Sequence, residues 1–319
     1  MRKTLLAAAG ALSTAVLLLA GCSSDSGNGD DTPTVVTSTN VWGAVASAVA
    51  GDKATVTSVY TNTEGDPHEF EPSAADTATI ADADILVMNG GHYDAYMEQA
   101  AKSSGATVVD AYALTRSDDH DAHDHDADDH SADDHAEHDH GDENEHVFYD
   151  LPVVAEVADK VADALAEQDP ANAETYRANA KTFTTGIDEL RGEVAGIRKA
   201  HDGTKVAQTE PLAGYLLTEA GLVDAAPAGF TQAVEEGQSP SAADRAAMQD
   251  LLASRGAAVL IYNVQAVDPV TQAMLDVAKS AKVPVVEFTE TLPDGVTDYL
   301  VWQRAQVDAL AAALDAEKS

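Results

Sequence analysis

A chain of 319 residues with 55 acidic and 18 basic side chains carries a formal net charge of -37. That charge argues against nucleic acid and anionic lipid surfaces as partners, and a single cysteine excludes an intramolecular disulfide. The length suffices for one large domain or two lobes with proper cores, and the low aromatic content with many alanines suggests helix-rich α/β packing.

In chain order, Arg2 and Lys3 precede an apolar run that ends at Ala20. The run is too short and wrongly flanked for a membrane span, so residues 1–21 read as an export signal. Its end, Leu19-Ala20-Gly21-Cys22, resembles the lipobox of bacterial lipoproteins. That resemblance implies lipidation at Cys22 and an extracytoplasmic protein anchored to the outer face of the cytoplasmic membrane, two acyl chains holding firmly where one would not. Residues 22–33, rich in Ser, Gly and Asp, read as a flexible tether.

From residue 34 strands alternate with helices. TVVTSTN (34–40), ATVTSVYT (54–61), ADILVMNG (83–90) and ATVVDAY (106–112) are strand-like. Between the second and third, SAADTATIADA reads as a helix with Ser73 as N-cap. This rhythm predicts parallel βαβ units in an N-terminal lobe over 34–116. DDHDAHDHDADDHSADDHAEHDHGDENEH then interrupts it with eight histidines, fourteen carboxylates and no Lys or Arg. That composition cannot bury a core, so 117–145 is expected to be a disordered loop.

The N-terminal lobe resumes over 146–168 with the helix LPVVAEVADKVADALAEQ. Asp169-Pro170 opens a linker helix (169–200) as N-cap and first-turn proline. Along it Tyr176, Ala180, Phe183, Ile187, Leu190, Val194 and Ile197 form one apolar stripe, about 45 Å long at 1.5 Å per residue. The rhythm returns in a C-terminal lobe over 201–319, with strands at KVAQTE, AAVLIYN and VPVVEFTE. The fold class expected is therefore α/β: two lobes with parallel sheets joined by one long rigid helix. A ligand belongs in the crevice at the C-terminal strand ends.

Those strand ends carry His68, His146, Glu210 and Glu290. Two imidazoles and two carboxylates suit a divalent first-row ion such as zinc or manganese. Each also has a structural reading: His68 in a turn after Pro67, His146 as the end of the histidine run, Glu210 capping a helix at Pro211, Glu290 capping a turn before Pro293. His92 and His201 read as surface residues, and Asp66 as shaping the turn before His68.

GDPHEFEPS resembles the DPHxxEP motif of the solute-binding receptors of zinc and manganese ABC importers, the ZnuA and TroA type of cluster A-I. ADILVMNGGHYDAYMEQ, NEHVFYDLPVVAEVADKVADAL, EPLAGYLLTEAGL and ETLPDGVTDYLVWQRAQVDAL are similar to successive segments of that family. The resemblance implies two α/β lobes tied by a rigid helix, with His68 and His146 as first and second ligands. It implies Glu210 as third, five residues before Tyr215, where zinc receptors usually carry His and many manganese receptors Glu. The fourth position, usually Asp, is here Glu290.

The function implied is an extracytoplasmic receptor, expected to be monomeric, that captures a divalent metal and delivers it to an ABC permease and its ATPase. Zinc is favoured as cargo, with manganese or iron as alternatives. His120, His123, His125, His130, His135, His138 and His140 read as auxiliary low-affinity ligands that collect metal. A metal-dependent hydrolase is disfavoured because the chain has no H-E-x-x-H or G-x-S-x-G motif; an extracellular metal buffer or adhesin is the remaining alternative.

Overall fold

The computed structural model of the chain describes residues 32–115 and 144–317. The export signal, Cys22, nearly all of the tether and the histidines from His120 to His140 lie outside the described residues.

The N-terminal lobe is built on β1 (Thr34–Thr39), β2 (Thr55–Tyr60), β3 (Ile85–Met88) and β4 (Thr107–Asp110), with α1 (Asn40–Ala50), α2 (Ala74–Ala81), α3 (Ala95–Ala101), α4 (Ala111–Thr115) and α5 (Leu151–Gln168) around them. All of its strand pairs are parallel, in the order β2-β1-β3-β4. β3 reads ILVM and is buried along its whole length, as a central parallel strand covered on both faces must be. Ser73 caps α2 in a reciprocal box with Asp76.

The C-terminal lobe repeats the plan. β5 (Lys205–Gln208), β6 (Val223–Asp224), β7 (Leu260–Asn263) and β8 (Val285–Phe288) pair in parallel as β6-β5-β7-β8. Around this sheet stand α7 (Gly214–Glu219), α8 (Ala228–Glu235), α9 (Ala242–Ala253), α10 (Pro269–Ala281) and α11 (Tyr299–Glu317). In each sheet the strand order reverses beside the first strand of the lobe, and the C-terminal ends there open a crevice.

One long helix, α6 (Ala173–His201), joins the lobes. It starts later than expected, because Pro170–Asn172 form a 3-10 turn whose Asp169 carboxylate accepts from Asn172 Nδ2 at 2.6 Å and Tyr176 Oη at 2.9 Å. All seven residues of the apolar stripe are buried. Their face packs on α1 and α5 of one lobe and on α7 and α11 of the other, so a single apolar core runs through both. Phe183, near the middle, meets Tyr299 of α11 with ring centroids 5.9 Å apart. Phe183→Ala is expected to destabilise the metal-free protein by about 3–5 kcal/mol in urea unfolding. A loss under about 1 kcal/mol would mean that the strut is loosely packed.

Hydrogen bonds also stitch the crevice. Asn40 exchanges two bonds with the Leu292 backbone (3.0 and 3.2 Å), Tyr149 Oη donates to Thr289 O (2.7 Å), Tyr299 Oη donates to Phe148 O (2.7 Å), and Thr291 Oγ1 donates to Asn62 O (3.1 Å). No described helix is long and apolar enough to cross a membrane.

Candidate metal centre

The loop after β2 supplies His68. Its backbone N–H donates to Asp66 Oδ1 at 2.8 Å and fixes the 3-10 turn Pro67–Glu69, so Asp66 shapes the turn. His146 comes from the segment that leads into the 3-10 turn Val147–Tyr149 and is fully buried. Its Nδ1 lies 3.0 Å from Asn144 Oδ1. The amide of Asn144 is oriented by its own donation to Pro211 O at 2.8 Å. An amide oxygen only accepts, so the proton sits on Nδ1 and, in the neutral ring, Nε2 presents a bare lone pair. The other imidazole is held similarly: Glu145 Oε1 is 3.3 Å from His68 Nδ1. Both Nε2 atoms are buried without a hydrogen-bond partner.

Glu290 faces them from the end of β8, fully buried. Its Oε2 is 3.4 Å from His68 Nε2 and 3.6 Å from His146 Nε2, and accepts from Tyr93 Oη at 2.9 Å. Its Oε1 accepts from Asn263 Nδ2 at 2.7 Å. Ligand atoms of His68, His146 and Glu290 thus fall within 4.8 Å of one another. Glu210 lies in the same pocket, 2% exposed, but stands outside that trio, as do Glu145 and Glu235, which cluster with His68. The Glu210 carboxylate accepts from Asn263, the amide that also serves Glu290, and it makes no side-chain cap to the turn at Pro211.

Two acidic neighbours escaped the sequence reading. Glu145 was assigned to the histidine-rich loop (117–145), yet it orients His68, as its neighbour Asn144 orients His146. Glu235, the last residue of α8, places Oε1 3.7 Å from His68 Nε2 and 3.6 Å from His146 Nε2. It sits in a stretch to which the pattern assigned no element. Pro227 and the Phe230–Val234 spacing hint at a helix there, but nothing local distinguishes Glu235 from Glu236 as the inward one. His92 is exposed as expected, whereas His201 is buried, with Nε2 3.1 Å from Asp315 Oδ1. Position 201 continues the buried stripe of α6 four residues beyond Ile197, which overrides the surface reading.

The electrostatics follow from burying so many carboxyls around two imidazoles. Burial works against a charged His68, yet the carboxylates of Glu290, Glu235 and Glu145 push it up to about 10. His146 is raised as well: burial opposes its charge, and Glu235 and Glu290 outweigh that. Burial would raise Glu290, but the two imidazoles hold it below the usual carboxylate range. Glu210, with no cation beside it, is driven well upward by burial and by the charges of Glu290, Glu235 and Asp66. Burial carries Glu145 up to about 7 against the pull of the two histidines.

The ZnuA family model, described as the zinc-uptake complex component A, periplasmic, matches residues 35–313. The manganese-binding lipoprotein MntA of Halalkalibacterium halodurans is 27% identical over 184 residues, covering 54% of this chain and 53% of that protein. The iron ABC transporter substrate-binding lipoprotein MtsA of Streptococcus pyogenes is 27% identical, covering 56% of each. The chain therefore spans about half the length of the curated relatives it matches. Among solved structures, the periplasmic zinc-binding protein TroA of Treponema pallidum superposes with a TM-score of 0.70 at 18% identity, over 89% of this chain and 99% of that one. This likeness shows the fold: two lobes on a long helix.

Proposed function

We propose, from the premise that the chain belongs to the ZnuA family of zinc-uptake components, that it is a receptor that captures a divalent metal and delivers it to an ABC-type permease and its ATPase. The family is a transport component and not an enzyme. The observation that carries the reading is the pair of buried, unpartnered Nε2 atoms turned toward the Glu290 carboxylate. Ring nitrogens buried among carboxylates without a hydrogen-bond partner are unfavourable unless a cation, proton or metal, sits between them. His68, His146 and Glu290 are the ligands in this reading.

Zinc is the favoured cargo, because two imidazoles with carboxylate oxygens suit a four-coordinate ion. Manganese is the second reading, favoured by Glu210, which would add oxygen to the sphere. The related lipoproteins named for manganese and iron keep that choice open to experiment. Location at the outer face of the membrane through lipidated Cys22 is part of the same proposal, as is metal collection by the seven histidines between His120 and His140.

The test is metal stoichiometry and competition on the full chain and on a variant lacking residues 118–141. One tight site is expected in both, and the weaker equivalents only in the full chain. Loss of the tight site on deletion would refute the division between pocket and collector. Manganese displacing zinc at equal concentration would overturn the choice of metal.

A further inference from the structure

Glu235 sits where its chemistry is unfavourable for a structural role. A carboxylate as the last residue of a helix faces the negative end of the helix dipole. Both of its oxygens are inaccessible to solvent and neither has a hydrogen-bond partner. A buried carboxylate left without donors is destabilising unless something else satisfies it. What lies nearby is His146, fully buried, its Nε2 equally unpartnered and 3.6 Å away, together with His68 and Glu145, whose ligand atoms fall within 4.8 Å of those of Glu235.

Four nitrogen-to-oxygen separations define the arrangement. Glu290 Oε2 lies 3.4 and 3.6 Å from the Nε2 atoms of His68 and His146, and Glu235 Oε1 lies 3.7 and 3.6 Å from the same two atoms. Bond lengths of about 2.0–2.2 Å to a tetrahedral ion correspond to ligand-to-ligand edges of roughly 3.3–3.6 Å. These four edges are too long for good hydrogen bonds and are close to those that an ion held between the two imidazoles and either carboxylate requires. Glu235 nevertheless clusters with His68 and Glu145 and not with the trio that includes Glu290. The charges also match, since two neutral imidazoles and two carboxylates cancel a divalent cation.

We propose that Glu235 is a direct ligand of the captured metal, contributed by α8, and that it supplies the oxygen opposite Glu290 in a site of two histidines and two glutamates. This rests on the metal-receptor reading above. It goes beyond the ligand set expected from sequence, because Glu235 Oε1 lies 3.7 and 3.6 Å from the two Nε2 atoms. It also gives α8 a function: the helix is pinned to the crevice by the ion it helps to bind.

The experiment compares the full chain with Glu235→Gln, Glu235→Asp and Glu236→Gln, the last altering the exposed neighbour. Zinc affinity is measured by competition with a chromophoric chelator, and the coordination sphere by X-ray absorption at the zinc edge. Glu235→Gln is expected to weaken zinc binding by more than about 100-fold, beyond the 10- to 100-fold usual for groups that only orient a ligand. It should also change the oxygen contribution in the absorption spectrum. Glu235→Asp keeps the carboxylate on a shorter stem and should recover part of the affinity, while Glu236→Gln should bind as the unaltered chain does. An unchanged spectrum with affinity within about threefold in Glu235→Gln overturns the proposal, as does an Asp variant no better than the Gln variant. If the unaltered chain itself binds no zinc tightly, the receptor reading fails first; if it binds and only Glu235→Gln is silent, the fault lies with Glu235 alone.

Discussion

Replacing His146 by alanine is expected to weaken metal binding by more than about 100-fold while leaving the fold intact. The imidazole is fully buried and supplies one of the two bare nitrogens. Its removal deletes a ligand and takes away the ring that lies 3.6 Å from both the Glu290 and the Glu235 carboxylates. Loss of a group that merely orients a ligand usually weakens binding 10- to 100-fold, so direct loss should exceed that range. The neighbouring Asn144→Ala separates the two roles. It removes the acceptor at Nδ1 but leaves Nε2 in the pocket, and should fall within the lower range. Calorimetric titration with zinc, alongside circular dichroism to show retained helix, checks both. Affinity of His146→Ala within tenfold of the unaltered chain would remove His146 from the coordination sphere.

Much of this site was legible in the sequence, and the parts that were not share a physical cause. Periodicity marked the strands and the buried stripe of α6 because both are repeated signals, summed over many residues. His68, His146 and Glu290 are far apart in sequence, and it is the resemblance of their motifs to those of the metal-receptor family that marks them together. Glu210 was placed in the right pocket, but which way its carboxylate turns depends on Asn263, a residue 53 positions away that also binds Glu290. No local pattern encodes that competition. Glu145 and Glu235 were hidden for opposite reasons. Glu145 is one acid among the fourteen of the histidine-rich run, so its role on His68 is masked by composition. Glu235 ends a short helix beside a second glutamate, and only the packing of α8 decides which of the two turns inward. The start of α6 was misjudged because Asp169 bonds to side chains of its own first turns instead of capping backbone N–H groups.

Metal affinity should rise steeply with pH across the neutral range. Imidazoles of ordinary pKa would confine the loss of binding to below about pH 6. The carboxylates packed around these two rings move that window upward. His68 is pushed up to about 10, so near neutral pH it carries a proton in the metal-free site, and the same carboxylates raise His146. A metal requires both nitrogens bare and must displace the His68 proton. Each proton released adds about a tenfold change in affinity per pH unit, so the His68 proton alone gives about 100-fold between pH 6 and pH 8. Calorimetry in buffers of different ionisation enthalpy should count at least one proton released per zinc; an affinity flat over this range with no proton release would defeat the argument. Fold stability runs the other way. The raised His68 stabilises the metal-free protein fully below its unfolded value of 6.5, and this is lost as pH rises through about 10. The lowered Glu290 stabilises above its unfolded value of 4.5, and this is lost as pH falls through its depressed folded value. Between those unfolded values both contributions are present, so mild acid should strip the metal from a site that remains folded, the His68 imidazolium standing in for the departed ion.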